Sequence, residues 1–208
     1  VAGITDSNGY WVYDVFLRDF SGGPPTTGLV SHTATDPATT GDRYSQLPQI
    51  SRDGSTIVFL SAASDLASGV ADGNATNEDL FAFDVTSGTV SAVNLASGGA
   101  TTGNAGVEQR FDLSANGQLI AFTSAASDLN PADTDGLWDV FVRDLATLPA
   151  ELVSVDSSGL VKGNSNSVAP NMSDDGLFVA FESYANLQAL DTNWWTDIYV
   201  RDRNIGSP

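Results

Sequence analysis

Two short loops concentrate hard oxygen donors. The stretches Asp133-x-Asp135-Gly136-x-x-Asp139 and Asp191-x-Asn193-x-x-x-Asp197 each gather carboxylate or amide oxygens on one turn of chain. Such loops suit calcium, which takes about six to eight oxygens and accepts backbone carbonyls and water among them. The spacing lacks the terminal Glu of an EF-hand, so that form of site is excluded. A second reading needs no ion: Asp and Asn side chains cap turns by accepting backbone N–H bonds, and Asp139 and its equivalents fix the start of the strand that follows.

Tryptophan accompanies the acids. Trp11, Trp138, Trp194 and Trp195, joined by Tyr10 and Tyr13, all lie just ahead of an Asp-bounded apolar segment. An indole buries much area and keeps a polar tip, so a Trp-bearing acidic rim could hold a sugar or a partner protein. Trp11 and Trp138 could instead plug gaps between neighbouring sheets, whereas strand alternation turns one ring of the Trp194-Trp195 pair outward.

Signatures for catalysis are weak. The one histidine, His32, is expected to be a solvated loop residue, and no Gly-x-Ser-x-Gly elbow accompanies it. Carboxylate pairs for glycoside hydrolysis are available only because acids are abundant. Arg18, Arg143 and Arg201 recur at one position, where Phe83 stands in the second copy, and are expected to pair with neighbouring aspartates.

These residues are carried by a fourfold repeat. Asp14-Val-Phe-Leu-Arg-Asp19, Asp79-Leu-Phe-Ala-Phe-Asp84, Asp139-Val-Phe-Val-Arg-Asp144 and Asp197-Ile-Tyr-Val-Arg-Asp202 return with a period of roughly 60 residues, the mark of a repeat architecture. Upstream of three copies stand Ile57-Val-Phe-Leu-Ser61, Ile120-Ala-Phe-Thr-Ser124 and Val179-Ala-Phe-Glu-Ser183. Each follows a turn signal: Ser51-Arg-Asp-Gly54, Ser114-Ala-Asn-Gly117 or Ser173-Asp-Asp-Gly176. Short segments on either side complete four strands per unit, A to D: Leu47–Ile50, Arg110–Leu113 and Ala169–Met172 before the turns, and Gly28–Ser31, Val90–Val93 and Glu151–Val155 after the hexapeptides.

Alternation makes both faces of each unit apolar. Val140 and Val142 oppose Phe141, and Phe122 shares a face with Ile120 while Ala121 keeps the other face small. A four-stranded antiparallel sheet with two apolar faces needs a sheet on each side, the situation of a β-propeller blade. The fold class is therefore all-β, a β-propeller of partial or open-arc form. One segment spans 1–208, with blades at about 1–46 (strands C-D), 47–109, 110–168 and 169–208 (strands A-C). Two whole and two partial blades suggest a piece of a longer propeller, a homo-oligomer, or a chain completed by another polypeptide. Val1 at the start suggests a mature or excised product.

Composition agrees. The 208 residues are 41% hydrophobic, enough for a sizeable core, and 20 glycines suit a turn-rich β protein. The formal net charge of −18, from 26 acidic and 8 basic residues, argues against nucleic acid or an anionic membrane surface as a partner. No run of about 18 apolar residues suggests membrane insertion. Zero cysteines exclude a disulfide framework and a zinc-thiolate site. Antiparallel strand order should bring the B–C and D–A loops to one face. Asp6, Asp65, Asp72, Glu78, Asp128, Asp133, Asp135 and Asp191 make that face acidic.

The order Ser173-Asp-Asp-Gly176, Phe181-Glu-Ser183, Asn186-Leu187, Asp191-Thr-Asn193, Asp197-Ile-Tyr-Val-Arg-Asp202 resembles the TolB-like family of β-propeller repeats, and the likeness covers nearly the whole chain. The resemblance implies a bacterial periplasmic or surface setting and either of two roles. One is a non-enzymatic extracytoplasmic module that binds a protein or glycan, with calcium as a candidate for ordering its loops. The other is the propeller of a secreted or periplasmic hydrolase whose catalytic part lies elsewhere.

Overall fold

One device builds three hairpins. In Ser51–Gly54 the Ser51 hydroxyl donates to Asp53 Oδ1 at 2.7 Å and accepts the Thr56 N–H at 3.0 Å, while the Gly54 N–H reaches Ser51 O. Ser114 with Asn116, and Ser173 with Asp175, repeat the arrangement. The glycine must be left-handed, with φ of +75°, +66° and +71° at Gly54, Gly117 and Gly176, which explains its fixed place in the motif.

The computed structural model describes residues 3–9, 11–189, 191–193 and 195–204. It holds two four-stranded antiparallel sheets flanked by two partial ones. The first partial sheet pairs β1 (Phe16–Asp19) with β2 (Thr26–Leu29). A small hairpin, β3 (His32–Thr33) and β4 (Asp36–Thr40), follows it. The second sheet is β5 (Ser45–Ile50), β6 (Thr56–Ser61), β7 (Asp79–Asp84) and β8 (Thr89–Ala92). The third is β9 (Val107–Leu113), β10 (Leu119–Ser124), β11 (Asp139–Asp144) and β12 (Glu151–Leu152). The last is β13 (Ser167–Met172), β14 (Phe178–Ser183) and β15 (Asp197–Asp202). This all-β arc of open, propeller-type sheets is the architecture the repeat implied.

Sheets stack by a constant rule. The small-residue face of one sheet meets the phenylalanine face of the next. Val15 and Val30 pack with Ile57, Phe59, Phe81 and Phe83; Val58, Leu60, Leu80 and Ala82 with Phe111, Ile120, Phe122 and Phe141; Ala121, Val140 and Val142 with Val179 and Phe181. Within each sheet the aromatic of strand C stacks on that of strand B: Phe59–Phe81, Phe122–Phe141 and Phe181–Tyr199 have centroids 5.8–6.0 Å apart. Burial of these apolar faces, about 25 cal/mol per Å² removed from water, drives the stacking.

Two details differ from expectation. The outer strands are short, β12 only two residues long, because a side chain takes over the ladder at their ends. Ser31 Oγ, Asn94 Oδ1 and Ser154 Oγ accept the N–H groups of Val15, Leu80 and Val140. The D–A connections also carry pairing of their own. The β3–β4 hairpin is echoed by the bridges Leu95↔Thr102 and Val155↔Lys162.

Candidate functional site

In the first two copies the leading aspartate of the hexapeptide is a hub where three elements meet. Asp79 Oδ1 accepts from Asn74 Nδ2 of the B–C loop at 2.8 Å and from Asn94 Nδ2 of the outer strand at 2.7 Å. Asp14 is held the same way by Asn8 and Ser31, both at 3.2 Å. Asp197 accepts from Asn193 at 3.1 Å. Burial of Asp79 raises its carboxyl to about 6, against the opposing pull of its hydrogen bonds. The second aspartates act locally instead: Asp19, Asp84, Asp144 and Asp202 each accept a backbone N–H two residues on and so shape the next turn.

The third repeat replaces this neutral network with charges. Asp139 is fully buried and accepts Ser154 Oγ at 2.7 Å, yet the loop residue opposite it is Asp135 rather than Asn. Lys162 supplies the balance. Its Nζ lies 2.8 Å from Asp139 Oδ2, 2.9 Å from Asp135 Oδ2 and 3.8 Å from Asp133 Oδ1. The ligand atoms of Asp133, Asp135 and Asp139 fall within 4.8 Å of one another, the spacing a metal would ask for. An ammonium already stands among them, and a calcium ion held by all three would have to displace it. Burial raises the Asp133 and Asp139 carboxyls, and Lys162 opposes that rise. Lys162 itself is raised, burial being outweighed by its three carboxylates.

Sequence reasoning passed over Lys162, although the repeat marks its place. Gly41, Gly103 and Gly163 occupy one position, where any Cβ would meet the Ala63/Leu66, Ala126/Leu129 or Ala185/Leu187 pair. The residues before them are Thr40, Thr102 and Lys162. Thr40 bonds Ser7, and Thr102 bonds the Gly73 N–H. The exchange of Asn for Asp135 is thus matched by the exchange of Thr for Lys162.

The weaker loop is arranged otherwise. Asp191 Oδ2 accepts the Tyr199 hydroxyl at 2.5 Å, and burial together with that bond pushes the phenol up to about 12. Asn193 caps the Trp195 N–H with its carbonyl and donates its amide to Asp197, so each of the three expected ligands has a partner within the chain. Bonds of Asp42 to Ser64, Asn104 to Ser127 and Asn164 to Asn186 tie D–A loops to B–C loops, which places these acids on one side of the sheets as expected.

Several expectations are corrected. Trp11 does not plug a gap between sheets; it is 99% exposed, with a left-handed φ of 75°. Trp195 is 80% exposed and Trp138 half-buried, while Trp194 lies outside the described residues. His32 is buried, its ring nitrogens within hydrogen-bond reach of Thr33 O and Gly88 O, because the β3–β4 hairpin packs it edge-on against Phe83. The recurrent arginines form no ion pairs among the described residues. Arg18 donates to Thr27, Arg201 reaches the Asp156 carbonyl, and Arg143 is buried with Nε and Nη1 unpartnered. Arg143 and Arg201 are enclosed and turned from the turn-forming second aspartates, whereas Arg18 is exposed and lies over the Phe20 ring.

The chain matches no protein-family model and no curated protein. Solved structures resemble it in fold. A TolB from Agrobacterium tumefaciens is 17% identical with a TM-score of 0.45 over 92% of this chain and 58% of its own. A prolyl endopeptidase is 13% identical with a TM-score of 0.49 over 93% and 25%. The β-propeller domain of the Trilobed protease from Pyrococcus furiosus, described as having an open velcro topology, is 10% identical with a TM-score of 0.32 over 90% and 64%. The chain spans less than two thirds of each of these proteins.

Proposed function

We propose that the chain is a non-enzymatic, extracytoplasmic propeller module, secreted or periplasmic, that holds a protein partner with a basic surface on its acidic loop face. The observation that carries the reading is the exposure of Trp11 and Trp195 beside loops rich in Asp on a chain of net charge −18. An exposed indole costs hydration and stabilises nothing in the free protein, whereas at an interface it supplies a large rigid contact. Surrounding acids raise the rate of encounter with cationic surfaces. Burial of His32 against Phe83, with a backbone carbonyl facing each ring nitrogen, takes the one imidazole out of reach of a substrate, which favours binding over hydrolysis.

Selection from a displayed peptide library, with a panel of neutral oligosaccharides in parallel, tests this reading. Lys- and Arg-rich binders are expected, weakened by salt and by Trp195→Ala. Binders indifferent to both, or a response to oligosaccharides alone, would sink it.

A further inference from the structure

The buried ion pair of the third repeat also sets a nucleophile beside an electrophile. Lys162 Nζ lies 2.8 Å from Asp139 Oδ2, and a short swing of its flexible stem brings the nitrogen onto the carboxyl carbon. In the first two repeats Thr40 and Thr102 hold the place of Lys162. There the groups on Asp14 and Asp79 are amides and a hydroxyl, far weaker nucleophiles than an amine. Asp139 and Asp133 are fully buried and the Lys162 side chain largely so, which keeps bulk water away. Ser154, itself fully buried, donates to Asp139 Oδ1 at 2.7 Å and leaves Oδ2 to the amine. Asp133 stands by with Oδ1 3.8 Å from Nζ, and its Oδ2 is buried with no hydrogen-bond partner. A desolvated carboxylate with an unsatisfied oxygen gains by taking a proton.

We propose that Lys162 and Asp139 condense once, after folding, to an isopeptide bond that ties the start of β11 to the D–A connection. The ion pair is the reactant state. Asp133 takes one proton from the ammonium, the freed amine attacks Asp139 Cγ, and the Ser154 hydroxyl stabilises the negative charge that develops on Oδ1. The Nζ–Cγ bond forms and the Cγ–Oδ2 bond breaks. Oδ2 leaves as water with two of the three ammonium protons, one of them returned by Asp133. Ammonium and carboxylate thus become an amide and one water, with no change in net charge and no co-reactant. Asp135 also holds the ammonium, at 2.9 Å, but it is exposed, and solvent screens its opposition to proton loss. Enforced contact supplies the rate, and a slow step suffices because each molecule reacts once. Exclusion of water then protects the amide from hydrolysis. A chain without cysteine has no disulfide, and this bond serves in its place. The basic-partner reading concerns other residues, and this site stands without it.

Intact-mass spectrometry of the folded chain tests this. The mass should fall short of the sequence mass by one water, and tandem spectra of a digest should show the peptide holding Asp139 joined to the peptide holding Lys162. Lys162→Arg keeps the cation and cannot condense, so it should give its full mass. Asp139→Asn should converge on the parent's mass, because its amide leaves as ammonia to give the same bond. Asp133→Asn, with its fold checked by circular dichroism, should lose water ~10-fold more slowly or worse. Full mass in the parent after prolonged incubation would overturn the proposal. Loss of water to the same extent from Lys162→Arg would overturn it too, by showing that an aspartate has dehydrated onto its own backbone. An unslowed Asp133→Asn would overturn the proton transfer to Asp133.

Discussion

A side chain's partners, more than its type, decide what it does in this protein. Asp139 and Asp79 stand at the same repeat position, one facing an ammonium and the other two amides. Lys162→Thr removes the ammonium and leaves Asp133 and Asp139 buried without a counter-charge, which should cost about 3–5 kcal/mol. Adding Asp135→Asn, which recreates the pattern of the second sheet, should recover most of the loss in urea melts. If the single variant were as stable as the parent, Lys162 would not be the balancing charge. Calcium should leave the parent's thermal midpoint unchanged and raise that of Lys162→Thr. A rise in the parent would show that the ion displaces Lys162.

Asp79 makes a second residue-scale prediction. Its carboxyl titrates at about 6 in the fold against 3.8 for the free side chain, so between these values the folded state binds a proton that the unfolded state does not. Its contribution to stability is therefore largest below pH 3.8 and falls as pH rises through 6. Asp79→Asn keeps an oxygen for Asn74 and Asn94 and never ionises. The variant should match the parent near pH 4 and exceed it at pH 7.5. A parent that gains on the variant as pH rises would refute the assignment to burial.

Elements were legible in the sequence to the extent that a local rule fixes them. Ser-x-Asp-Gly demands its turn through one hydroxyl and one left-handed glycine, and Val-Phe-Val demands two buried faces, so β6, β10, β11 and β14 fall where the repeat puts them. The β3–β4 hairpin was invisible because its residues, His, Thr, Ala, Asp and Pro, read as loop, and contacts across the chain hold it. The acid loops were legible as a place and not as a chemistry, since the partner of Asp135 lies 27 residues further on. Ser173→Ala removes both the donor to Asp175 and the acceptor of the Phe178 N–H, and should cost ~1 kcal/mol. Gly176→Ala should cost more, because φ is +71° and the new methyl would collide with Leu119. Equal melting of the two variants would show that the turn tolerates either change.

At the scale of the molecule, each apolar cluster joins one sheet to its neighbour, while the exposed Arg52–Asp174 ion pair alone among the ion pairs of the described residues skips a sheet, and stability should be distributed in the same way. Phe181→Ala, at the junction of the third and last sheets, should release β13–β15 from hydrogen-exchange protection while β6 and β7 keep theirs. Uniform loss of protection would mean that the arc unfolds as one unit. The last sheet also leaves a face uncovered, with Ile198 and Val200 at 70% and 65% exposure. Their counterparts Val140 and Val142 are buried under a following sheet, so both ends of the arc present surfaces of the kind used inside it.

The inner turns are linked to one another. The Asp53 N–H donates to Ala115 O, and the Ala115 N–H donates to Asp174 O, while Arg52 forms an ion pair with Asp174. Those bonds pin the second, third and last sheets to one another at their turns, largely through backbone groups. The succession of sheets is thereby marked at the turns as well as in the broad hydrophobic faces, and a further unit bearing the same four-residue turn would bring its own donors and acceptors to that line of contacts whatever its loops had evolved to bind.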